Sequence, residues 1–321
     1  MVKIDLITGF LGSGKTTFIK KYARYLMEQG ENIGILENDF GAVNVDMMLL
    51  QDVMGDQCEL EMVAGGCDYD CHKRRFKTKL ISMGMCGYDR VLVEPSGIYD
   101  VDEFFDVLHE EPLDRWYEIG NVIAIVDASL EKEMSEQAEY LLASQISRAG
   151  KVVLSRSEHA SKEEIEQTIT HLNRVLEQFQ CKRRFSEEVF CKDWEHMDQN
   201  DFEKIRSCGY TDDFMGKLWF EQRDAFDSVC FMNATLSKEQ LLDAVKAIFA
   251  DAACGEVFRV KGFLKEEDQW LELNAAPKEI TLQPISQGQE VLIVIGEGLV
   301  EERINAYWKG ERHSSQAMSF T

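Results

Sequence analysis

The chain has 321 residues and no run of the ~18 consecutive apolar residues that a bilayer-spanning helix requires. Its opening Met1-Val-Lys-Ile-Asp-Leu-Ile-Thr8-Gly9 lacks the layout of a secretory signal, because the apolar stretch stops at Thr8-Gly9. Basic residues are scarce: 35 Lys and Arg stand against 58 Asp and Glu, a formal net charge of −23. Such an acidic surface repels phosphate backbones and anionic lipid, so neither nucleic acid nor a membrane is expected as a partner. A complete disulfide framework is missing as well. The nine cysteines are an odd number, and a chain without an export signal meets reducing thiols. Most of them read as small buried apolar residues, and Cys67 with Cys71 is the only close pair. There is no internal repeat and no low-complexity tract. These absences together describe a cytoplasmic protein.

What is present is an ordinary globular balance, 45% hydrophobic and 29% charged residues, in a chain long enough for one large domain or two. The first half alternates strand and helix patterns. Val2–Thr8, Asn32–Leu36, Glu59–Val63, Arg90–Glu94, Val122–Asp127 and Lys151–Leu154 read as strands. Between them lie helical stretches near Lys15–Gln29, Lys73–Met83, Val101–Glu110 and Glu136–Arg148. On the first of these, Phe18, Ile19, Tyr22 and Leu26 form one apolar face. This alternation predicts the α/β class, with a mainly parallel sheet covered by helices on both faces. Ser161-Lys-Glu-Glu164 is a capping box that opens a further amphipathic helix. Residues 180–222, polar and rich in aromatics, read as the last elements of a nucleotide-binding domain spanning 1–222, together with a linker. A smaller α+β domain is expected over 223–321. It has strands near Ser228–Met232, Glu256–Lys261, Gln269–Leu273, Ile280–Pro284 and Glu290–Ile295, a helix capped by Ser237, and a last helix near Val300–Trp308.

Gly9-Phe-Leu-Gly12-Ser13-Gly14-Lys15-Thr16-Thr17 matches the P-loop pattern G-x-x-x-x-G-K-[ST] in full. Each residue type answers a physical demand. Gly12 and Gly14 let backbone N–H groups turn toward phosphate oxygens, and the helix that follows presents its positive end beneath them. Lys15 brings a charge to the β- and γ-phosphates, and the Thr16 hydroxyl is suited to Mg²⁺. Gly12, Ser13, Gly14, Lys15, Thr16 and Thr17 are therefore the expected triphosphate-binding residues. Arg90-Val-Leu-Val-Glu94-Pro-Ser-Gly97 delivers a carboxylate at a strand end, where Glu94 would hold a magnesium-bound water or orient the attacking one. Gly97 would let a backbone N–H approach the γ-phosphate. Leu36-Glu37-Asn38-Asp39-Phe40-Gly41 again places acids at a strand end, and Glu37 and Asp39 suit either Mg²⁺ or a metal cargo. Lys15, Glu94 and Asp39 are the catalytic candidates.

Taken in order, these elements resemble the CobW/HypB/UreG family of P-loop GTPases and metallochaperones, and within it the CobW-like branch. The matching segments are Gly9–Thr17, Glu37–Gly41, Glu94–Gly97 and Val126-Asp127-Ala128. Phe258–Phe263 and Ile293–Gly296 look like the C-terminal CobW domain of that family. The resemblance implies a nucleoside triphosphate hydrolase whose nucleotide state governs capture and delivery of a transition-metal ion to a client metalloprotein. A nucleotide-dependent homodimer is compatible with it.

The chain departs from the family pattern twice. Where the family carries Gly-Cys-x-Cys-Cys, this sequence has Gly66-Cys67-Asp68-Tyr69-Asp70-Cys71-His72, a Cys-x₃-Cys stretch read as a loop. Cys67 keeps its place, and Cys71 and His72 next to it are replacement ligands for Zn²⁺, Co²⁺ or Ni²⁺, with Glu37 or Asp39 completing a tetrahedral set. The base-reading Asn-Lys-x-Asp becomes Ser155-Arg156-Ser157-Glu158. Glu158 keeps the charge with an added methylene, Arg156 keeps a cation able to stack on a base, and Ser155 lacks the amide. The nucleotide is thus GTP or ATP. Two other readings stand beside the hydrolase: a nucleotide-gated adaptor with little turnover, and a P-loop kinase for a small acceptor. The acid-rich stretch Asp100–Glu118 reads as a solvated face or as a docking surface for a basic client.

Overall fold

The structure is a computed structural model. It describes residues 1–39, 49–64, 69–97, 99–130, 134–186, 188–212, 227–232, 236–267, 269–277, 279–286 and 288–309, without the side chains of residues 39, 64, 69, 70 and 227. The chain divides into two compact units, Met1–Phe220 and Glu221–Thr321. The expected boundary at 222/223 lies outside the described residues. Among those residues, no helix is long and apolar enough to cross a membrane.

In the first unit the strands are β1 (Val2–Thr8), β2 (Ile33–Asp39), β3 (Cys58–Ala64), β4 (Arg90–Pro95), β5 (Tyr117–Asp127), β6 (Lys151–Ser155) and β7 (Val189–Phe190). They form one sheet in the order β3-β2-β4-β1-β5-β6-β7, and every pairing is parallel. The helices are α1 (Lys15–Glu28), α2 (Tyr69–Met83), α3 (Val101–Leu108), α4 (Leu113–Trp116), α5 (Glu136–Ser147), α6 (Lys162–Gln178) and α7 (Gln199–Arg206). Because β1 is flanked by β4 and β5, neither its neighbour in sequence, a crevice opens at its carboxyl end, where ligands bind in open α/β sheets. Phe18, Ile19, Tyr22 and Leu26, the apolar face expected of α1, are fully buried against Ile7, Ile35, Leu92, Ile123 and Ile125. Truncating one of these, such as Leu26→Ala, costs about 2–5 kcal/mol.

The amino end of the sheet is tied by a buried ionic network that hydrophobic patterning does not reveal. Asp5 on β1 is fully buried and takes both Oδ1 and Oδ2 contacts from Arg90 Nη1 on β4, at 2.8 and 2.7 Å. Tyr22 donates its hydroxyl to Asp5 at 3.0 Å, and Asn121 donates both its backbone N–H and its amide. Burial pushes the Asp5 carboxyl up, and Arg90, Asn121 and Tyr22 oppose that shift. Removing one partner from such a pair costs about 3–5 kcal/mol, because the other charge is left buried alone.

The acids of Asp100–Glu118 are largely engaged within this unit. Asp102 pairs with Arg148 at 2.8 Å, Glu110 with Lys77 at 2.7 Å and Lys73 at 3.3 Å, and Glu103 is buried.

The second unit is an antiparallel sheet of β8 (Asp227–Met232), β9 (Glu256–Glu266), β10 (Gln269–Ala276), β11 (Glu279–Ile285) and β12 (Val291–Glu297), in the order β11-β10-β9-β12-β8. Helices α8 (Lys238–Ala250) and α9 (Glu301–Trp308) cover one face, packing Leu241, Val245, Ile248, Ile304 and Trp308 on Phe231, Val260, Leu273 and Val294. Ser237 and Gln240 form the expected capping box of α8.

Candidate functional site

The loop after β1 is shaped by its glycines. A Cβ on Gly9 would lie 2.3 Å from the Ile125 carbonyl oxygen, so β5 approaches the chain too closely there for any side chain. Gly14 caps α1 with φ 98°, in the left-handed region that favours glycine. Among the described residues no side chain caps the first turn of α1, so its N–H groups face the loop as an anion would need them. The buried Lys15 side chain folds back with Nζ 3.0 Å from the Gly9 carbonyl oxygen.

The carboxyl ends of β4 and β2 bring acids to this loop. Thr16 donates its hydroxyl to Glu94 Oε1 at 2.9 Å, across 78 residues of sequence. Glu37 is the register partner of Glu94, and both are buried. Each lies two residues beyond an apolar residue packed near α1, Ile35 or Leu92, so both carboxylates belong to the α1 face of the sheet. The paired hydroxyl and carboxylate, an all-oxygen donor set, fit a hard divalent cation such as Mg²⁺. Gly97 closes the arrangement, since a Cβ there would sit 2.7 Å from the Leu11 nitrogen. Gln145 holds the same turn by donating to the Gly97 carbonyl at 2.9 Å. The Asp39 backbone ends β2, and its side chain lies outside the description.

The altered base element follows β6. Ser155 is buried and reaches the Val126 carbonyl at 3.4 Å. Arg156 has φ 53° and its Nη1 lies 2.7 Å from Asp127 Oδ2 and 3.1 Å from the Gly12 carbonyl oxygen. It therefore clamps the P-loop to the end of β5, a role the sequence reading had not assigned. Asp127 itself stands in the Val126-Asp127-Ala128 segment already singled out, but its partner 29 residues away could not be read from it. Glu158 is exposed, with His159 Nε2 3.6 Å away, and Thr17 is exposed on α1.

The candidate metal ligands are only partly described. Cys67 lies outside the described residues. Cys71 and His72 do not stand on a loop: α2 starts at Tyr69, four residues earlier than expected, and carries both in its opening turns. Cys71 is half-buried and in no disulfide, and His72 is fully buried. Among the described residues no three His, Cys, Asp or Glu side chains gather closely enough to hold a metal ion, so Glu37, Cys71 and His72 do not by themselves form such a set.

Trp194 was missed altogether, inside the stretch read as last elements and linker. The short helical turn Trp194–His196 brings its indole against Phe18 of α1. One aromatic among several in a polar tract carries no local signal that would single it out.

Comparison with known proteins agrees with this architecture. Residues 3–186 match the model of the CobW/HypB/UreG nucleotide-binding domain. The chain is 29% identical over 185 residues to the zinc chaperone YjiA of Escherichia coli, covering 54% of this chain and 55% of that protein. It is also 29% identical over 164 residues to the zinc chaperone YeiR of the same organism, covering 51% and 49%. The chain thus spans about half the length of these curated relatives. A solved structure, Zn(II)-bound YjiA GTPase from E. coli, aligns over 97% of this chain and 99% of its own at 20% identity and a TM-score of 0.39. The matched model covers more than half of the chain, which therefore belongs to the CobW/HypB/UreG family.

Proposed function

We propose that the protein is a GTP-hydrolysing metallochaperone that works in the cytoplasm and passes zinc to a client metalloprotein. The observation that carries the hydrolase half is the Thr16–Glu94 contact at 2.9 Å, which sets a P-loop hydroxyl and a buried strand-end carboxylate at one point beside Lys15. Mg²⁺ bound there would neutralise charge on the phosphate oxygens. Lys15 and the first-turn N–H groups of α1 hold the β- and γ-phosphates, and the Gly97 N–H is directed to the γ-phosphate. Glu94 and Asp39 orient water for attack on the γ-phosphorus. The new P–O bond forms as the bond to the β-phosphate oxygen breaks, giving inorganic phosphate and a nucleoside diphosphate. Ser155, Arg156 and Glu158 form the base side of the pocket.

Zinc is the cargo, as the names of the two E. coli relatives suggest. Its proposed ligands are Cys67, Cys71 and His72 with Glu37 or Asp39, soft and borderline donors suited to that ion. None of the described cysteines is in a disulfide, which is compatible with a reducing compartment. Metal and nucleotide must then be linked reciprocally: each tightens or weakens the other by one common factor.

The test is calorimetry of GTP, GDP, ATP and ADP with and without zinc, joined to phosphate release in the absence of any acceptor. GTP binding and zinc-stimulated release are expected, with both the zinc affinity and the stimulation lost in a Cys67→Ser, Cys71→Ser double variant. Binding without release would favour the adaptor reading. Nucleoside diphosphate that forms only with an added acceptor, the phosphoryl group ending on that acceptor and not as inorganic phosphate, would favour the kinase. Zinc affinity indifferent to nucleotide would overturn the chaperone mechanism.

A further inference from the structure

The turn Trp194–His196 reaches both halves of the nucleotide site. Its indole meets Phe18 edge-on, with ring centroids 5.7 Å apart and planes at 66°. The indole N–H donates to the Leu154 carbonyl at 2.9 Å, one residue before Ser155. Next to it, Glu195 accepts from Lys21 Nζ of α1 at 2.8 Å, so the turn is fastened to the helix at two points. A Cβ placed on Gly14 would lie 3.4 Å from Trp194 Cη2 and 3.5 Å from Ser155 Cβ. The indole and Ser155 thus border the same space over the P-loop glycine that begins α1.

We infer that Trp194 is a positioning residue of the nucleotide site, tying the left-handed turn at Gly14 to the end of β6. The inference rests on the proposed nucleotide function. Its physical basis is the short reach of Ser155, whose single hydroxyl meets only the Val126 carbonyl, at 3.4 Å, among the contacts described for it. Arg156 anchors the loop at Gly12, and nothing in its contacts to Asp127 and Gly12 restrains Gly14. The indole supplies that restraint with one hydrogen bond to β6 and with ring atoms set against Gly14 and Phe18. Gly14 sets the aim of the first N–H groups of α1, and an anion site that is ordered before binding does not pay an ordering penalty when the ligand arrives. Trp194 therefore acts through the P-loop backbone and touches no phosphate.

The experiment uses the full chain and GDP. Calorimetry compares wild type with Trp194→Ala and Trp194→Phe, and fluorescence follows the indole emission as GDP is added. Loss of the restraint weakens GDP binding about tenfold in Trp194→Ala and about threefold in Trp194→Phe, which keeps a ring but lacks the N–H. In wild type a change in emission saturates together with the calorimetric isotherm, and in Trp194→Phe that change is absent. A purely structural role would lower the melting temperature without giving Trp194 an optical response to GDP. The wild-type emission and the phenylalanine variant decide the matter even where Trp194→Ala fails to fold. Wild-type binding with an emission indifferent to GDP overturns the inference, as does unaltered affinity in Trp194→Phe and a folded Trp194→Ala. Wild type that binds none of the four nucleotides overturns the proposed function itself, and this inference with it.

Discussion

Lys15 shows at the scale of one residue how sequence and structure divide the explanation. Its place after Gly14 was legible because a P-loop is local: two glycines, a lysine and a hydroxyl at fixed spacing leave little choice of chemistry. What it touches in the absence of phosphate was not legible, and the structure brings its Nζ to the Gly9 carbonyl oxygen at 3.0 Å. A hydrogen bond of this kind is a small part of the stability of the unit, of the order of 1 kcal/mol. Lys15→Ala is therefore expected to lower triphosphate affinity by about a hundredfold or more, while the melting temperature without nucleotide moves little. Calorimetry and thermal unfolding check the two halves separately, and unchanged GTP binding would remove the nucleotide reading. Arg156 makes the opposite case. Its type was noted, but its position depended on φ 53° and on Asp127 at the end of another strand. Neither feature leaves a trace in the local pattern of Ser155-Arg156-Ser157-Glu158.

At the scale of elements, apolar period and capping chemistry located most strands and helices, and the failures have physical causes. The local pattern places the start of α2 near Lys73, since Tyr69, Asp70, Cys71 and His72 are weak helix formers and the apolar stripe begins only at Phe76 and Leu80, although His72 is buried in line with it. The join between α8 and α9 illustrates a contact no period predicts. Asp251, at the end of α8, accepts the Tyr307 hydroxyl at 2.7 Å and Arg303 Nε at 2.8 Å on one oxygen, and the Ala253 N–H at 3.0 Å on the other. The Tyr307 hydrogen bond first, and then Arg303, hold its carboxyl at about 2 against an ordinary 3.8. A folded-state value below the unfolded one means that the contact stabilises the unit fully above the unfolded value. The contribution is lost as pH falls through the folded value. Stability of the second unit is therefore expected to fall between pH 4 and pH 2, and Asp251→Asn should flatten that part of the profile. Near-ultraviolet circular dichroism during acid titration measures it, and an equally steep loss in the variant would assign the acid sensitivity elsewhere.

The net charge of −23 matters for the whole molecule, because the proposed ligand is itself an anion. Lys15 and the end of α1 attract phosphate at close range, while the many surface carboxylates repel it at long range. Salt screens the distant charges first, with a Debye length falling from about 30 Å at 0.01 M to about 10 Å at 0.1 M. The association rate of GTP is accordingly expected to rise, by about twofold, over that range of NaCl. Stopped-flow measurement of nucleotide binding tests it. A rate that falls with salt would mean that the field at the crevice is positive despite the net charge.

The sequence by itself determined the class of the molecule and the identity of its phosphate-binding loop. Strand and helix alternation, capping boxes and the Gly9–Thr17 motif are all short-range, and short-range sterics and hydrogen bonding decide them. Tertiary structure decided which distant residues meet. The strand order sets β4 beside β1, so that Thr16 reaches Glu94 across 78 residues, and the parallel register sets Glu37 level with Glu94. It also brought Arg90 to Asp5, and Trp194 to Gly14 from a stretch with no apolar period of its own. Such pairings depend on the order and register of strands, which every side chain on both faces of the sheet selects together. No window of a few residues contains that information.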